Sequence, residues 1–140
     1  MDYSLWEKFL TSNDSLNIYE AGRLIFTSDK SGLLPLLDYI DRSPAPWPPV
    51  VIFDKIMGNG AALLSVLANG QEVYSPLGSH LAQKTLDKYH IGYHISEVVP
   101  YIQKTPGGEM CPMERLSLDK DPQEFYAAVK NITDTRPTKI

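Results

Sequence analysis

The stretch Val50 to Leu67 constrains the fold more than any other part of the chain. It opens with Val50-Val-Ile-Phe, a wholly apolar and β-rich run that suits a central strand covered on both faces. After the charged pair Asp54-Lys55, the run from Ile56 to Leu67 carries Ala61, Ala62, Leu63, Leu64, Val66 and Leu67 and predicts a helix. Ala68-Asn-Gly closes it, with Asn69 or Gly70 as the left-handed terminal residue. A buried strand, a charged turn and a helix in that order place a crevice at the end of the strand, where open α/β sheets carry their ligands.

The remaining elements fall into place around this unit. Leu5, Trp6, Phe9 and Leu10 recur at helical spacing behind Asp2 and Ser4. Leu16-Asn-Ile-Tyr-Glu and Arg23-Leu-Ile-Phe-Thr flank Ala21-Gly22 and read as a β-hairpin. A second helix follows the loop 27–32, with apolar residues at Leu33, Leu36, Leu37 and Ile40, Ser31 as its expected N-cap and Pro35 in its first turn. The proline-rich segment from Ser43 to Pro49 ends that helix as a rigid connector. Beyond Leu67, Gln71 to Ser75 is a predicted strand, Ser79 to Tyr89 a helix and Ile91 to Val98 a further strand, an alternation that points to parallel crossovers. Cys111-Pro-Met-Glu-Arg-Leu begins a short helix. Asp121-Pro-Gln-Glu opens the last one with a capping box over Phe125, Ala128, Val129 and Ile132. The expected organisation is one α/β domain over residues 1–132 and a frayed tail over 133–140.

Composition narrows the function classes. A chain of 140 residues with 43% hydrophobic side chains can bury a core without staples. Thirteen basic and seventeen acidic residues leave a net charge of -4, and no basic run is present to neutralise a row of phosphates, so nucleic acid is not an expected partner. The single Cys111 excludes an internal disulfide. Asp2 and Glu7 stand where a signal peptide would be positive and then apolar, and no apolar run approaches the ~20 residues that span a bilayer. A cytoplasmic protein without membrane contact is the expectation.

The order helix, hairpin, helix, strand, helix, strand, helix, strand resembles the cytidine-deaminase-like fold, a three-layer α/β/α sandwich around a mixed sheet. More specifically, Gly32 with Pro35-Leu-Leu, Asp54-Lys-Ile-Met-Gly-Asn-Gly-Ala-Ala, Val99-Pro-Tyr-Ile and Cys111-Pro-Met-Glu are similar to the signature of an uncharacterised prokaryotic family, a domain of unknown function placed in that fold. The resemblance runs over roughly residues 5 to 118. It implies a fold and withholds an activity. Deaminases of this fold hold zinc through a His or Cys at one helix start and two cysteines at the next, with a glutamate moving protons. The corresponding starts here read Ser31-Gly-Leu-Leu and Asp54-Lys-Ile-Met-Gly-Asn, with no thiol or imidazole at either. Zinc deamination is therefore excluded, while the resemblance still implies that both helix starts lie beside one sheet edge.

The candidate residues follow from that placement. Asp54 and Lys55 stand between strand and helix; Lys55, near a positive helix end, asks for an anion from Asp54 or a ligand, or else Asp54 caps the helix and Lys55 points to water. Gly58-Asn59-Gly60 lets a ligand approach exposed N–H groups, or lets helix and sheet pack closely. Neither the dinucleotide fingerprint nor the P-loop is complete there. Ser31 and Gly32 offer the second helix start. Cys111 at its helix start is either a nucleophile or a small buried hydrophobe, and Glu114 either a cap or a polar group of the crevice under a loop 105–110 folded over it. His80, His90 and His94 do not share a helix face, so no metal site and no cofactor are expected.

The leading functional expectation is a small-molecule site, for an anionic or nucleotide-like metabolite, at Ser31, Gly32, Lys55, Gly58 and Asn59, with Lys55 as cation. A metal-free transferase or hydrolase using Asp54, Lys55, Cys111 and Glu114 is the alternative. A protein-interaction subunit, with self-association through an apolar patch, is the third.

Overall fold

The computed structural model describes residues 3–135. Its elements are α1 (Tyr3–Thr11), β1 (Leu16–Glu20), β2 (Arg23–Ser28), α2 (Leu34–Arg42), β3 (Val50–Asp54), β4 (Ile56–Met57), α3 (Asn59–Leu67), β5 (Gly70–Ser79), α4 (His80–Lys88), β6 (Gly92–Val99), α5 (Pro112–Leu116) and α6 (Pro122–Thr135). The first residues of the expected 133–140 tail continue α6 as far as Thr135; the remainder of that tail lies outside the described residues.

The strands form one mixed sheet. β1 pairs antiparallel with β2 and with β3, whereas β3, β4 and β6 all run parallel to β5. Because β6 takes one edge of β5 along Glu72 to Ser79, β3 and β4 share the other edge. Ala21 and Gly22, both at positive φ, make the tight reversal between β1 and β2, a turn whose twist matches that of its strands.

Period-two alternation divides the core. Ile18, Ile52 and Val73 face the larger cluster, built with α2, α3, α4 and α6. Tyr19, Phe53 and Tyr74 face the other way and pack on Trp6 and Phe9 of α1. Helices therefore cover both faces of an α/β sandwich, and β1 and β3 are central strands buried on both sides. On the α1 side the contacts are aromatic: Phe53 meets Trp6 at 5.9 Å, Phe9 at 5.7 Å and Tyr74 at 5.3 Å between ring centroids, all edge-on.

Two helix starts differ from expectation. The run from Ile56 does not enter a helix at once. Ile56 and Met57 stay extended and pair with Leu77 and Gly78, so α3 begins only at Asn59. A β-branched residue with a free partner edge on β5 gains more from the ladder than from a helical turn. Ser31 does not cap α2. Gly32 takes φ +65, which turns the chain out of helical conformation, and Leu33 is the N-cap with no side-chain bond. By contrast Ser79 caps α4 by accepting the Ala82 N–H at 3.0 Å. The capping box of α6 is complete, with the Asp121 N–H donating to Glu124 at 2.9 Å and the Glu124 N–H to Asp121 at 2.8 Å.

α3 is apolar around most of its circumference and is enclosed by α2, α4, α5, α6 and β5. Its approach to α6 depends on Gly60, where a Cβ would lie 2.7 Å from Cζ of the fully buried Phe125. The small residues of the Gly58-Asn-Gly-Ala-Ala run thus serve close packing, one of the two roles open to them.

Candidate functional site

A cavity of about 420 Å³ opens at the ends of β3 and β4. Four separate regions of the chain line it, the first of them Ser15 before β1. Asp29 to Leu33 come from the loop before α2, and Asp54, Lys55 and Ile56 from the turn between β3 and β4. Gly58, Gly60 and Ala61 belong to the start of α3, while Ile102, Cys111, Met113 and Glu114 come from α5 and the chain before it. Of the residues nominated from sequence, Ser31, Gly32, Asp54, Lys55, Gly58, Cys111 and Glu114 all border this space. Asn59 does not.

Asn59 is instead the centre of a buried polar network. Its backbone N–H donates to Glu114 Oε1 at 2.5 Å, and the Ile102 N–H donates to Glu114 Oε2 at 2.8 Å. Its side-chain Nδ2 donates to Ser117 Oγ at 3.0 Å, its Oδ1 accepts from the Thr85 hydroxyl, and the Ser117 hydroxyl donates to the Glu114 carbonyl at 2.5 Å. Glu114 is only 3% exposed, so its carboxyl is a fixed part of the wall. It sits at the amide end of α3, where the unpaired N–H groups and the helix dipole favour an acidic group. Part of the anion position expected for a ligand is therefore filled by the protein itself. A Cβ on Gly58 would stand 3.0 Å from both Glu114 Oε1 and Ile102 Cγ1, which explains glycine there.

Lys55 is placed differently from expectation. It lies in the turn between β3 and β4 rather than at the α3 start. Its ammonium donates to the Ser12 carbonyl at 2.9 Å and the Asp14 carbonyl at 2.8 Å, and it stands 4.6 Å from the centroid of the Phe9 ring. Those bonds fasten the α1–β1 loop to the turn. The Asp54 that precedes it does not cap α3, whose N-cap is Gly58. Its Oδ1 accepts only the Ile56 N–H, at 3.2 Å. Burial of the carboxyl, only slightly offset by that bond, raises its pKa from 3.8 to about 7.

Cys111 is the N-cap of α5 and half-buried; its N–H donates to the Ile102 carbonyl at 2.8 Å. The loop 105–110 does not cover the crevice. Gln103 and Met110 bridge to each other and turn that loop back on itself, leaving Ile102 and Cys111 as the wall. Sequence reasoning missed Lys30, which pairs with Asp38 at 2.7 Å, and the apolar lining of Leu33, Ile56, Ile102 and Met113. Nothing local marks these four, since each lines the space only through the tertiary fold. Among the described residues, no three His, Cys, Asp or Glu side chains group as metal ligands. No described helix is long and apolar enough to cross a membrane.

Over residues 5–133 the chain matches the family model described as TM1506, domain of unknown function (DUF1893). It belongs to that family. The match includes most of α6, beyond the stretch whose element order carried the resemblance. A crystal structure of a DUF1893 family protein (TM1506) from Thermotoga maritima superimposes with a TM-score of 0.83 at 28% identity, covering 93% of this chain and 88% of that one. No curated protein matches the chain.

Two outcomes are expected from this geometry. Replacing Glu114 with Ala strands the Asn59 and Ile102 N–H groups, and unfolding in denaturant should show a loss of roughly 2–4 kcal/mol. Glu114→Gln, which keeps one acceptor, should lose less; equal losses would mean that the two bonds are not what the carboxyl contributes. Asp54 gives a pH signature. The native state holds its proton up to about pH 7 whereas the unfolded chain releases it near 3.8, so stability falls as pH rises across that window. The stability gained by Asp54→Asn should therefore be larger at pH 8 than at pH 4, by on the order of 4 kcal/mol. A pH-independent difference would show that the carboxyl is not desolvated.

Proposed function

We propose that the chain is a zinc-free member of the deaminase-like fold that binds a small, nucleotide-like metabolite in this cavity. One observation carries the reading: Asp54, 8% exposed and without a cationic partner among the described residues, borders the same apolar-walled space as the α2 and α3 starts. A buried acid without a counter-ion is costly for stability, and such groups concentrate where a ligand or a reaction uses them. The cavity volume lies within the ~300–1,000 Å³ usual for small-molecule sites.

The site differs in chemistry from the anionic alternative. With Lys55 bonded to two carbonyls and Glu114 set at the α3 start, Asp54 replaces Lys55 as the group that meets the ligand. Lys30 lines the same cavity and offers a cation for a ligand phosphate. Isothermal titration against nucleotides, nucleosides and phosphorylated metabolites should find a ligand that also slows alkylation of Cys111, the thiol in the cavity wall. No heat and no protection at millimolar concentration would sink the reading.

The raised pKa of Asp54 favours a second reading, in which the same site is a metal-free active site with Asp54 as general acid or base. Its turnover of a bound metabolite should then show an inflection near pH 7 that Asp54→Asn removes. A profile unchanged by that substitution would exclude Asp54 from proton transfer.

A further inference from the structure

The donors and acceptors of the cavity wall constrain which edge of a ligand it accepts. Asp54 Oδ1 is engaged by the Ile56 N–H, while Oδ2 has no partner among the described residues. At the α3 start, the Ala62 N–H is the first to bond within the chain's own turn, to the Gly58 carbonyl at 2.9 Å. Of the N–H groups before it, that of Asn59 belongs to Glu114, which leaves those of Gly60 and Ala61, two residues that line the cavity. Two N–H donors side by side suit an acceptor with two lone pairs, a carbonyl oxygen better than a ring nitrogen. Above about pH 7, where the Asp54 carboxyl is ionised, its free oxygen accepts and suits an N–H. The carboxyls of Asp54 and Glu114 in one wall disfavour an anion at that depth, and the apolar side chains of Leu33, Ile56, Ile102 and Met113 suit a flat ring.

We infer that the cavity reads a lactam edge, a ring carbonyl beside a ring N–H, so that its ligand is a neutral planar heterocycle of the uracil or hypoxanthine kind, with Asp54 accepting the ring N–H and the Gly60 and Ala61 amides donating to the carbonyl. The inference rests on the cavity being a small-molecule site. It goes further by naming the edge that is recognised. A site that hydrogen-bonds a ring N–H leaves a buried acceptor unpaired when that hydrogen is missing, and so discriminates strongly against the analogue without it.

The test is titration of the whole chain at pH 8, where Asp54 is ionised, with uridine, 3-methyluridine, inosine, 1-methylinosine, cytidine and inorganic phosphate, followed through the amide resonances of Gly60 and Ala61. Uridine or inosine should shift both amides and bind at least tenfold more tightly than its N-methylated form and than phosphate. Asp54→Asn keeps the side-chain shape, and with its carbonyl held by Ile56 it presents an amide N–H where Oδ2 stood. That variant should lose at least tenfold for uridine and gain for cytidine, whose ring nitrogen accepts at the same position. Equal binding of the methylated forms, preference for phosphate, or an unchanged uridine-to-cytidine ratio in the variant overturns the lactam assignment. In those cases protection of Cys111 from alkylation by the tighter ligand keeps the cavity as a binding site. Absence of binding by every compound, with Cys111 unprotected, overturns both.

Discussion

The two hydrogen bonds accepted by the Glu114 carboxyl hold the site together. One comes from the first residue of α3 and the other from Ile102, in the chain between β6 and α5. Together they tie the wall formed by Ile102 and Cys111 to the start of the helix it faces. Because the carboxyl is buried and both oxygens are engaged, it fixes this wall more firmly than a surface ion pair would. The Asn59–Ser117–Thr85 bonds extend the same network to α4, so the position of the α3 start is set from several sides. Fully paired networks of this kind rigidify what they join.

Asp54 stands outside this network, its carboxyl bonded to the Ile56 N–H. The strand that carries it is central and buried on both faces, so Asp54 at its end enters the protein interior with no cationic partner among the described residues. Lys55, its neighbour, is turned to the opposite side by two carbonyls and the Phe9 ring. Alternation of side chains along extended chain explains the split: adjacent residues point to opposite faces. A lysine used to fasten α1 is unavailable to neutralise the cavity. The same turn thus serves stability on one face and polarity on the other.

Much of this was legible in the residues. Hydrophobic alternation identified β1, a continuous apolar run identified β3, and helical spacing identified α1, α2 and α6. The capping box at Asp121 marked a helix start because its chemistry is local. The meeting of Ser31, Gly32, Asp54 and Gly58 at one space was legible too, since strand ends and helix starts in an open α/β sheet gather at one edge, whereas Cys111 and Glu114 reach it through the tertiary fold. The start of α3 was not. Ile56 and Met57 read as helix until the free edge of β5 is known, and that edge exists only in the assembled sheet.

What the sequence determined by itself was the kind of elements, their order and the sheet edge at which polar residues would meet, because these depend on periodicity, capping and turn chemistry within a few residues. Val50 to Leu67 could be read as strand, charged turn and helix on those grounds alone. Tertiary structure decided the role of each charge in that turn. Whether Lys55 faces a ligand or two backbone carbonyls, and whether the α3 amides stay free or receive Glu114 from fifty-five residues away, depends on segments distant in the chain. Side-chain electrostatics act through space, so no pattern confined to neighbouring residues contains them.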